Sequence, residues 1–226
     1  MIDRPGNRHF QLTHADGLAI KSLRRTVARF AASQDLLGQR VLDLGCGDMP
    51  YRTLFTERGA IYLGADINGS AQIVIKPGEP LPVESASVDV VVSFQVLEHV
   101  RDVAAYLNEA RRVLKPGGRV FVSTHGVWPY HPHPQDFWRW TSEGLRITCE
   151  APGFTLEHFR ALCGPAAWLA MFPLLAGQRL FGRAALLLAP VNLLVNLLAL
   201  VADSLTPRGI RAENAAIFVF EGRVPA

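Results

Sequence analysis

Cysteine is scarce in this sequence, and the few residues present do not form a recognisable set. Cys46, Cys149 and Cys163 are an odd number without the spacing of a metal site. This excludes a disulfide framework as the basis of the fold and favours a reducing compartment. The polar first residues contain no apolar run of the kind found in secretory signal peptides, so we expect a cytoplasmic protein.

Charge is also low, because Asp, Glu, Lys and Arg make up only 19% of the 226 residues. The formal net charge is +3, and the chain has no lysine-rich run. Neither feature supports nucleic acid as a partner. We therefore expect a small-molecule or lipid-linked partner instead.

Hydrophobic residues, at 49%, are by contrast frequent, and the excess is concentrated in residues 164–206. Residues 184–202 carry no charge, and Arg179 and Arg183 separate them from a first apolar stretch. Three structures compete here: a helical hairpin that is buried or forms a homodimer, a helical pair in the membrane interface, and a membrane span. The span is disfavoured because the predicted strands on either side must return to one sheet.

A glycine turn within residues 41–48 (VLDLGCGD) is the strongest local motif. A short apolar strand leads into Gly45 and Gly47, which allow a sharp turn and a close approach of a ligand to the backbone. A second strand, Ile61 to Ala65, ends in an acid, Asp66. Strand, glycine turn, helix, strand and acid are the layout of a nucleotide-binding βαβ unit, in which the acid binds ribose hydroxyls. Pro50 replaces the third glycine of a dinucleotide fingerprint, which argues against NAD.

Strands and helices alternate along the rest of the chain, which predicts an α/β fold with a doubly wound, mostly parallel, seven-stranded Rossmann-like sheet. We expect one domain: an N-terminal helical arm (1–36), a sheet core (37–163 and 212–226) and an apolar helical insertion (164–206) between strands six and seven. Helices are predicted at 17–33 (capped by Asp16), 50–58, 103–114 and 142–150. Further strands are predicted at 73–75, 88–93, 119–123, 154–159 and 215–221.

A loop of unusual composition, residues 124–140, follows the fifth strand. It contains three histidines, three prolines and five aromatic residues. Long irregular loops are commonly functional, and this aromatic content argues against disorder. The loop either contributes to a ligand site or uses its histidines only to hold its own shape. A metal site formed by His131, His133 and Asp136 is conceivable, but the His-Pro-His sequence restricts ligand geometry, and we predict none.

Four sequence blocks together resemble one family. They are VLDLGCGD (41–48), YLGADI (62–67), SVDVVVSFQVLEHV (87–100) and RRVLKPGGRVFVS (111–123). In order and spacing they are similar to class I S-adenosylmethionine-dependent methyltransferases of the type 11-like group. The string HPHPQDFWRWTSEGL (131–145) further resembles a bacterial branch associated with surface-glycan or lipid-linked chemistry.

The resemblance implies a cofactor, S-adenosyl-L-methionine, and roles for particular residues. The glycine turn and Asp43 would hold the methionine part of the cofactor. Asp66 would bind the ribose hydroxyls, and Ile67 would lie beside the adenine. The end of strand four is where cofactor and substrate would meet. The implied cofactor-binding residues are Asp43, Gly45, Cys46, Gly47, Asp66, Ile67, Phe94 and Gln95. Cys46 is expected as a space-filling residue of the turn. The usual acid after strand three is absent, unless Glu79 replaces it.

On the acceptor side, a base is needed only if the acceptor must lose a proton during methyl transfer, as a hydroxyl would. His125, at the end of strand five, is the first candidate, followed by His131 and Tyr130. His133, Asp136, Trp138 and Arg139 are the candidate substrate-binding residues, because tryptophans flanking an arginine suit a sugar or an anion. A lid anchor is the alternative role for the last three.

We therefore predict O-methylation of a glycan, a lipid-linked intermediate or a hydrophobic small molecule, at the cytoplasmic face of the membrane. The alternative is a non-catalytic cofactor-binding or membrane-scaffold protein that retains the fold. The only sequence feature that favours this alternative is the loop from Lys76 to Glu79.

Overall fold

A computed structural model describes residues 11–132, 134–182 and 187–226. Seven strands form one sheet in the order β3-β2-β1-β4-β5-β7-β6. All neighbouring strands are parallel except β7, which is antiparallel to both β5 and β6. The strands are β1 (Arg40–Leu44), β2 (Ile61–Asp66), β3 (Ile73–Val74), β4 (Val88–Phe94), β5 (Leu114–His125), β6 (Thr155–Leu162) and β7 (Ile217–Arg223).

Helices cover both faces of the sheet, which explains why the central strands consist mostly of buried apolar residues. One face packs against the first, second and fifth helices, and the other against the third and fourth. The helices are α1 (Gly17–Ala32), α2 (Arg52–Thr56), α3 (Val103–Val113), α4 (Ser142–Glu150), α5 (Pro165–Phe181), α6 (Ala189–Leu205) and α7 (Arg208–Glu213). The predicted α/β class and the seven-stranded, mostly parallel sheet are confirmed.

Several predicted boundaries were wrong. Asp16 precedes α1, but its side chain makes no capping hydrogen bond. The second helix is only five residues long, because turns occupy most of the segment predicted for it. The fifth strand was predicted at 119–123 but begins at Leu114, directly after α3. The helix α7 was not predicted.

Three predicted features lie partly or wholly outside the described residues. They are residues 1–10 of the N-terminal arm (1–36), His133 and Arg183. Of the arm, residues 11–16 form turns that lead into α1. The Thr141 side chain accepts a hydrogen bond from the Gly144 N–H and caps α4, the helix predicted at 142–150.

The helices α5 and α6 lie between β6 and β7 and pack against each other. Most of the leucines of α6 remain exposed, among them Leu194 (58%) and Leu198 (61%). Its buried positions are Asn192, Asn196 and Ala199. Among the described helices, none combines the length and apolar character that a membrane crossing requires.

Candidate active site

The glycine turn follows β1 at the carboxyl edge of the sheet. Gly45 has a φ of +79°, which only glycine adopts without strain, and a Cβ at this position would lie 2.6 Å from Val96 Cγ1. The backbone N–H groups of Gly45 and Cys46 both donate to the Ala65 carbonyl, at 2.8 and 3.0 Å. The turn is therefore fixed against the end of β2 and leaves its backbone close to the edge.

Asp66 ends β2 and contacts this turn directly. Its Oδ2 accepts a hydrogen bond from the Gly47 N–H at 2.8 Å, and its Oδ1 accepts one from the Asn68 N–H at 2.9 Å. A carboxylate offers about four acceptor sites, so two further donors, such as ribose hydroxyls, find acceptors here. Ile67, the next residue, is 55% exposed at the same edge.

Asp43 lies beneath the turn instead of at its surface. Its side chain is buried, and its Oδ2 accepts a hydrogen bond from the Tyr62 hydroxyl at 2.6 Å. Burial and the neighbouring Asp43 both raise the pKa of Tyr62 far above its usual range, so the hydroxyl stays protonated and donates. Asp43 thus braces β1 against β2 directly below the glycine turn.

Phe94 and Gln95 end β4 in different ways. The Phe94 ring is buried in the core and packs edge-on against Tyr51, with 4.6 Å between ring centroids. Gln95 has a φ of +55°, and its N–H donates to the Ser123 carbonyl at 2.9 Å. The left-handed conformation at Gln95 turns the chain away from the sheet, which brings the following residues to the carboxyl edge.

Cys46 is a buried residue of the turn and not a reactive one. Burial and the nearby carboxylates, Asp43 first among them, raise the pKa of the Cys46 thiol to about 12. After β3, Glu79 is exposed and lies 3.6 Å from Lys76 Nζ, in an exposed ion pair. The described residues thus place the only acid of that loop in a surface contact.

These observations together fit S-adenosylmethionine. Gly45 and Gly47 both have positive φ angles, so the turn is bare of side chains there, and the carboxylate of Asp66 retains acceptor capacity next to it. Ile67 supplies an exposed apolar surface suited to a base. The roles of the individual cofactor residues remain predictions.

Glu98 is the residue whose importance was not recognised from the sequence. It lies in a short 3₁₀ turn (Leu97–His99) after β4, is completely buried, and accepts a hydrogen bond from the Thr124 hydroxyl at 2.8 Å. Its Oε1 lies 2.8 Å from His125 Nδ1. Burial alone would raise the pKa of Glu98, but His125 and His99 outweigh it and lower the pKa to about 2, so the carboxylate is ionised.

The imidazoles of the acceptor side form one cluster around this carboxylate. His125 ends β5 and stacks on Trp128, with 4.4 Å between ring centroids. His131 lies edge-on to both His125 and His99, at 4.7 and 5.0 Å. Burial, followed by the neighbouring His125, lowers the pKa of His131 to about 4, so this imidazole is neutral at physiological pH.

Asp136 and Arg139 brace the loop from within. Arg139 donates two hydrogen bonds to the Asp136 carboxylate, at 2.5 and 2.6 Å, and others to the carbonyls of Trp128 and Pro129. Burial opposes ionisation of Asp136, but Arg139 and the His131 N–H lower its pKa to about 2. The geometry therefore favours the lid-anchor role over direct substrate contact for this pair.

Two other predicted acceptor residues lie at the rim. Trp138 is 43% exposed and donates its indole N–H to the Val100 carbonyl at 2.8 Å, while Tyr130 is 64% exposed. His133 is outside the described residues. The buried His125 and the half-buried His131 thus lie together in one cluster, whereas Tyr130 and Trp138 are exposed.

The helical pair contacts the loop at a second place that the sequence did not reveal. Arg179 of α5 donates to the Tyr130 carbonyl at 2.6 Å. Beside this contact is an open apolar cavity of about 390 Å³, lined by Pro129, Phe172, Leu175, Ala176, Arg179 and Leu180. The helix α5 and the histidine-rich loop therefore share a groove.

Comparison with known proteins agrees with this geometry. A family model described as a methyltransferase domain matches residues 14–163, which is most of the chain. A probable S-adenosylmethionine-dependent methyltransferase of Mycolicibacterium smegmatis is 37% identical over 106 residues, or 42% of this chain and 41% of that protein. A ubiquinone biosynthesis O-methyltransferase of Idiomarina loihiensis is 33% identical over 105 residues, or 39% and 43%. The matches thus span about two fifths of these relatives.

Solved structures share the fold over a longer stretch. A phosphoethanolamine N-methyltransferase of Haemonchus contortus, in complex with phosphomonomethylethanolamine and S-adenosylhomocysteine, has a TM-score of 0.58 with this chain. The superposition covers 93% of this chain and 54% of that one, at 19% sequence identity. At this identity the similarity concerns the fold alone.

Proposed function

This chain belongs to the class I S-adenosylmethionine-dependent methyltransferase family, and from that premise we propose that it methylates a hydroxyl group of a partly apolar acceptor at the cytoplasmic face of a membrane. The proposed acceptors are a glycan carried on a lipid, another lipid-linked intermediate or a hydrophobic small molecule. The bound cofactor supplies a methyl group on a sulfonium. The protein holds the methyl donor and the acceptor in position and excludes water from the site.

The groove between the loop and α5 is the observation that carries this proposal. It lies beside the loop that holds His125 and His131, and its lining is apolar apart from Arg179. An acceptor with an apolar chain fits such a groove, while a free sugar would leave it unfilled. Arg179 at the rim adds one positive charge, which suits a phosphate or another anionic group next to the chain.

The histidine cluster supports a hydroxyl as the acceptor group. Methylation of a hydroxyl requires that its proton leaves, and the cluster gathers nitrogen and oxygen acceptors at the carboxyl edge. Of the three candidates, His125 and His131 lie inside this cluster and Tyr130 lies at the rim. The similarity to ubiquinone biosynthesis O-methyltransferases supports oxygen over nitrogen.

The exposed leucines of α6 support the membrane location. Leu194 and Leu198 project from a helix whose polar residues, Asn192 and Asn196, are turned inward. Such an arrangement is typical of helices that lie in a membrane interface. A homodimer through the same leucines is the competing arrangement.

Turnover with matched acceptors tests the chemistry. We expect the purified chain to form S-adenosylhomocysteine with dodecyl glucoside or 4-dodecylphenol, and at least tenfold more slowly with glucose or phenol. Dodecylamine is the control for nitrogen acceptors. Turnover with the amine alone would contradict O-methylation. Binding of S-adenosylmethionine without turnover on any acceptor would favour the non-catalytic alternative.

Vesicle sedimentation tests the location. We expect the chain to sediment with vesicles of phosphatidylcholine and phosphatidylglycerol, and the Leu194→Glu/Leu198→Glu variant to remain in solution. Leu37 is 79% exposed elsewhere on the chain, so Leu37→Glu is the matched control and should sediment like the wild type. Equal sedimentation of both variants would contradict the membrane role of α6. If light scattering showed a dimeric wild type and a monomeric Leu194→Glu/Leu198→Glu variant, the leucines would instead form a homodimer interface.

A further inference from the structure

Glu98, His99 and His131 come together in the loops that follow β4 and β5. One ligand atom from each of the three lies within 4.8 Å of the other two. Glu98 and His99 come from the turn after β4, and His131 comes from the loop after β5. Two separate segments therefore deliver one carboxylate and two imidazoles to the same point.

The buried atom His99 Nε2 has no hydrogen-bond partner among the described residues. The side chains of Glu98 and His99 are 0% and 8% exposed. Glu98 Oε1 forms an ion pair with His125 Nδ1 at 2.8 Å, so the buried carboxylate already holds one imidazole. Leaving a buried nitrogen unpaired costs about 1–3 kcal/mol, so a ligand that binds His99 Nε2 is expected.

The orientation of His99 identifies which of its nitrogens faces that ligand. His99 Nδ1 is in short contact with the Gln135 carbonyl, which can only accept a hydrogen bond. Nδ1 therefore donates to this carbonyl, and Nε2 is the nitrogen that faces the cluster. A metal-binding histidine is held in the same way, with its other ring N–H donated to a carbonyl or a carboxylate.

The spacing of the atoms suits a small cation. Glu98 Oε1 and His99 Nε2 are 3.8 Å apart, too far for a hydrogen bond. Ligand atoms about 2.0–2.2 Å from a tetrahedral ion lie roughly 3.3–3.6 Å from one another, so this pair is only a few tenths of an ångström too wide. The ligand atom of His131 lies within 4.8 Å of both. Two imidazoles and a carboxylate favour zinc and its neighbours over magnesium or calcium, which prefer oxygen.

We propose that Glu98, His99 and His131 bind one divalent cation of the zinc class on the acceptor side of the active site. Three protein ligands leave a coordination position open, as in catalytic zinc sites, and the charge would favour the deprotonated form of an acceptor hydroxyl placed there. This last role rests on the proposed function, whereas cation binding itself does not.

Cobalt titration tests the site without methyl donor or acceptor. Full-length protein is treated with a chelator, dialysed and titrated with Co²⁺, whose visible absorption reports coordination by nitrogen. We expect one equivalent to bind, and His99→Ala, His131→Ala and Glu98→Gln each to weaken binding at least tenfold. Competition with Zn²⁺ should abolish the absorption. His158 is an exposed histidine on β6, so His158→Ala is the matched control and should bind like the wild type.

The affinity for S-adenosylmethionine, measured on the same variants, shows whether they are folded. Absence of Co²⁺ binding by the wild type would overturn the proposal, as would full binding by a folded His99→Ala variant. Loss of binding in His133→Ala alone would also overturn it. Because turnover is measured separately, activity without any cation site would refute this inference and leave the methyl-transfer proposal intact.

Discussion

The carboxylate of Asp66 accepts a hydrogen bond from the backbone N–H of Gly47 at 2.8 Å. This contact joins the acid that ends β2 to the turn that follows β1, so the two parts of the proposed cofactor site hold each other in place. It also leaves acceptor positions on the same carboxylate for the ribose.

We expect Asp66→Asn to weaken S-adenosylmethionine binding about 10- to 100-fold, because hydrogen bonds to a charged group contribute about 1.5–3 kcal/mol. Isothermal titration measures the effect. Glu57 is an exposed acid of the same βαβ unit, and Glu57→Gln is the control that should bind normally. An unchanged affinity in Asp66→Asn would remove Asp66 from the cofactor site.

Gly45→Ala should destabilise the turn for two separable reasons. The new Cβ would lie 2.6 Å from both Val96 methyl groups, and the φ of +79° is strained for alanine by about 1–2 kcal/mol. Thermal unfolding should show a loss of about 2 kcal/mol or more. Adding Val96→Ala should recover the part due to the clash and leave the backbone strain.

The control for this experiment is Gly69→Ala. Gly69 has open space around its Cβ direction and no positive φ, so its replacement should be close to neutral. Equal destabilisation at Gly45 and Gly69 would show that neither close packing nor backbone conformation is special to the turn.

At the carboxyl edge of the sheet, some site residues were predictable from the sequence and others were not. The position of Gly45 and Asp66 was predictable, because strand, turn and acid follow one another within about twenty residues of chain. The role of Glu98 was not, because its partners Thr124 and His125 lie at the end of a different strand. An acid directly after a buried strand was the available signal, and nothing local showed that it would be fully enclosed.

The helices α5 and α6 also have contacts that the sequence does not predict. Hydropathy located α5 and α6, and helical spacing placed Asn192 and Asn196 on one face. Only the structure shows their partners, the backbone carbonyls of residues 12–14, about 180 positions earlier in the chain. Contacts of this separation follow from packing and leave no periodic pattern in the sequence.

Asn196→Leu should therefore loosen the segment before α1. The Asn196 amide donates to the carbonyls of Leu12 and His14, both at 2.8 Å, and is almost fully buried. Removing both donors leaves those carbonyls unpaired, at a cost of about 2–3 kcal/mol. Hydrogen exchange in residues 11–17 should accelerate. Asn214 is exposed, so Asn214→Ala is the control. If exchange in residues 11–17 were equally fast in Asn214→Ala, the effect would be a general destabilisation.

Arg139→Lys should loosen the acceptor loop while it preserves the charge. Lysine cannot reproduce the planar fork that binds both Asp136 oxygens and two loop carbonyls. Losing part of this hydrogen-bond set costs about 1–3 kcal/mol. Limited proteolysis should cut the variant within residues 126–140 faster than the wild type. Arg146 pairs with Glu143 and Glu150 on the surface of α4, and Arg146→Lys should change nothing measurable. Protection of the loop in Arg139→Lys would contradict the bracing role.

The thiols should be inert in the folded protein. Burial, named first among the causes, raises the pKa of Cys46, Cys149 and Cys163 to about 12. At pH 8 only about one thiol in 10⁴ would be ionised, and the thiolate is the reactive form. Ellman's reagent should detect no fast-reacting thiol in the native protein and three in urea. A cysteine introduced at an exposed site, Glu57→Cys, is the positive control.

The raised pKa values of the three thiols also favour the folded state below about pH 8.5, and this stabilisation should decline as the pH rises toward 12. Rapid modification of Cys46 at pH 8 would show that the turn opens, and protection by S-adenosylmethionine would then report cofactor binding at that position.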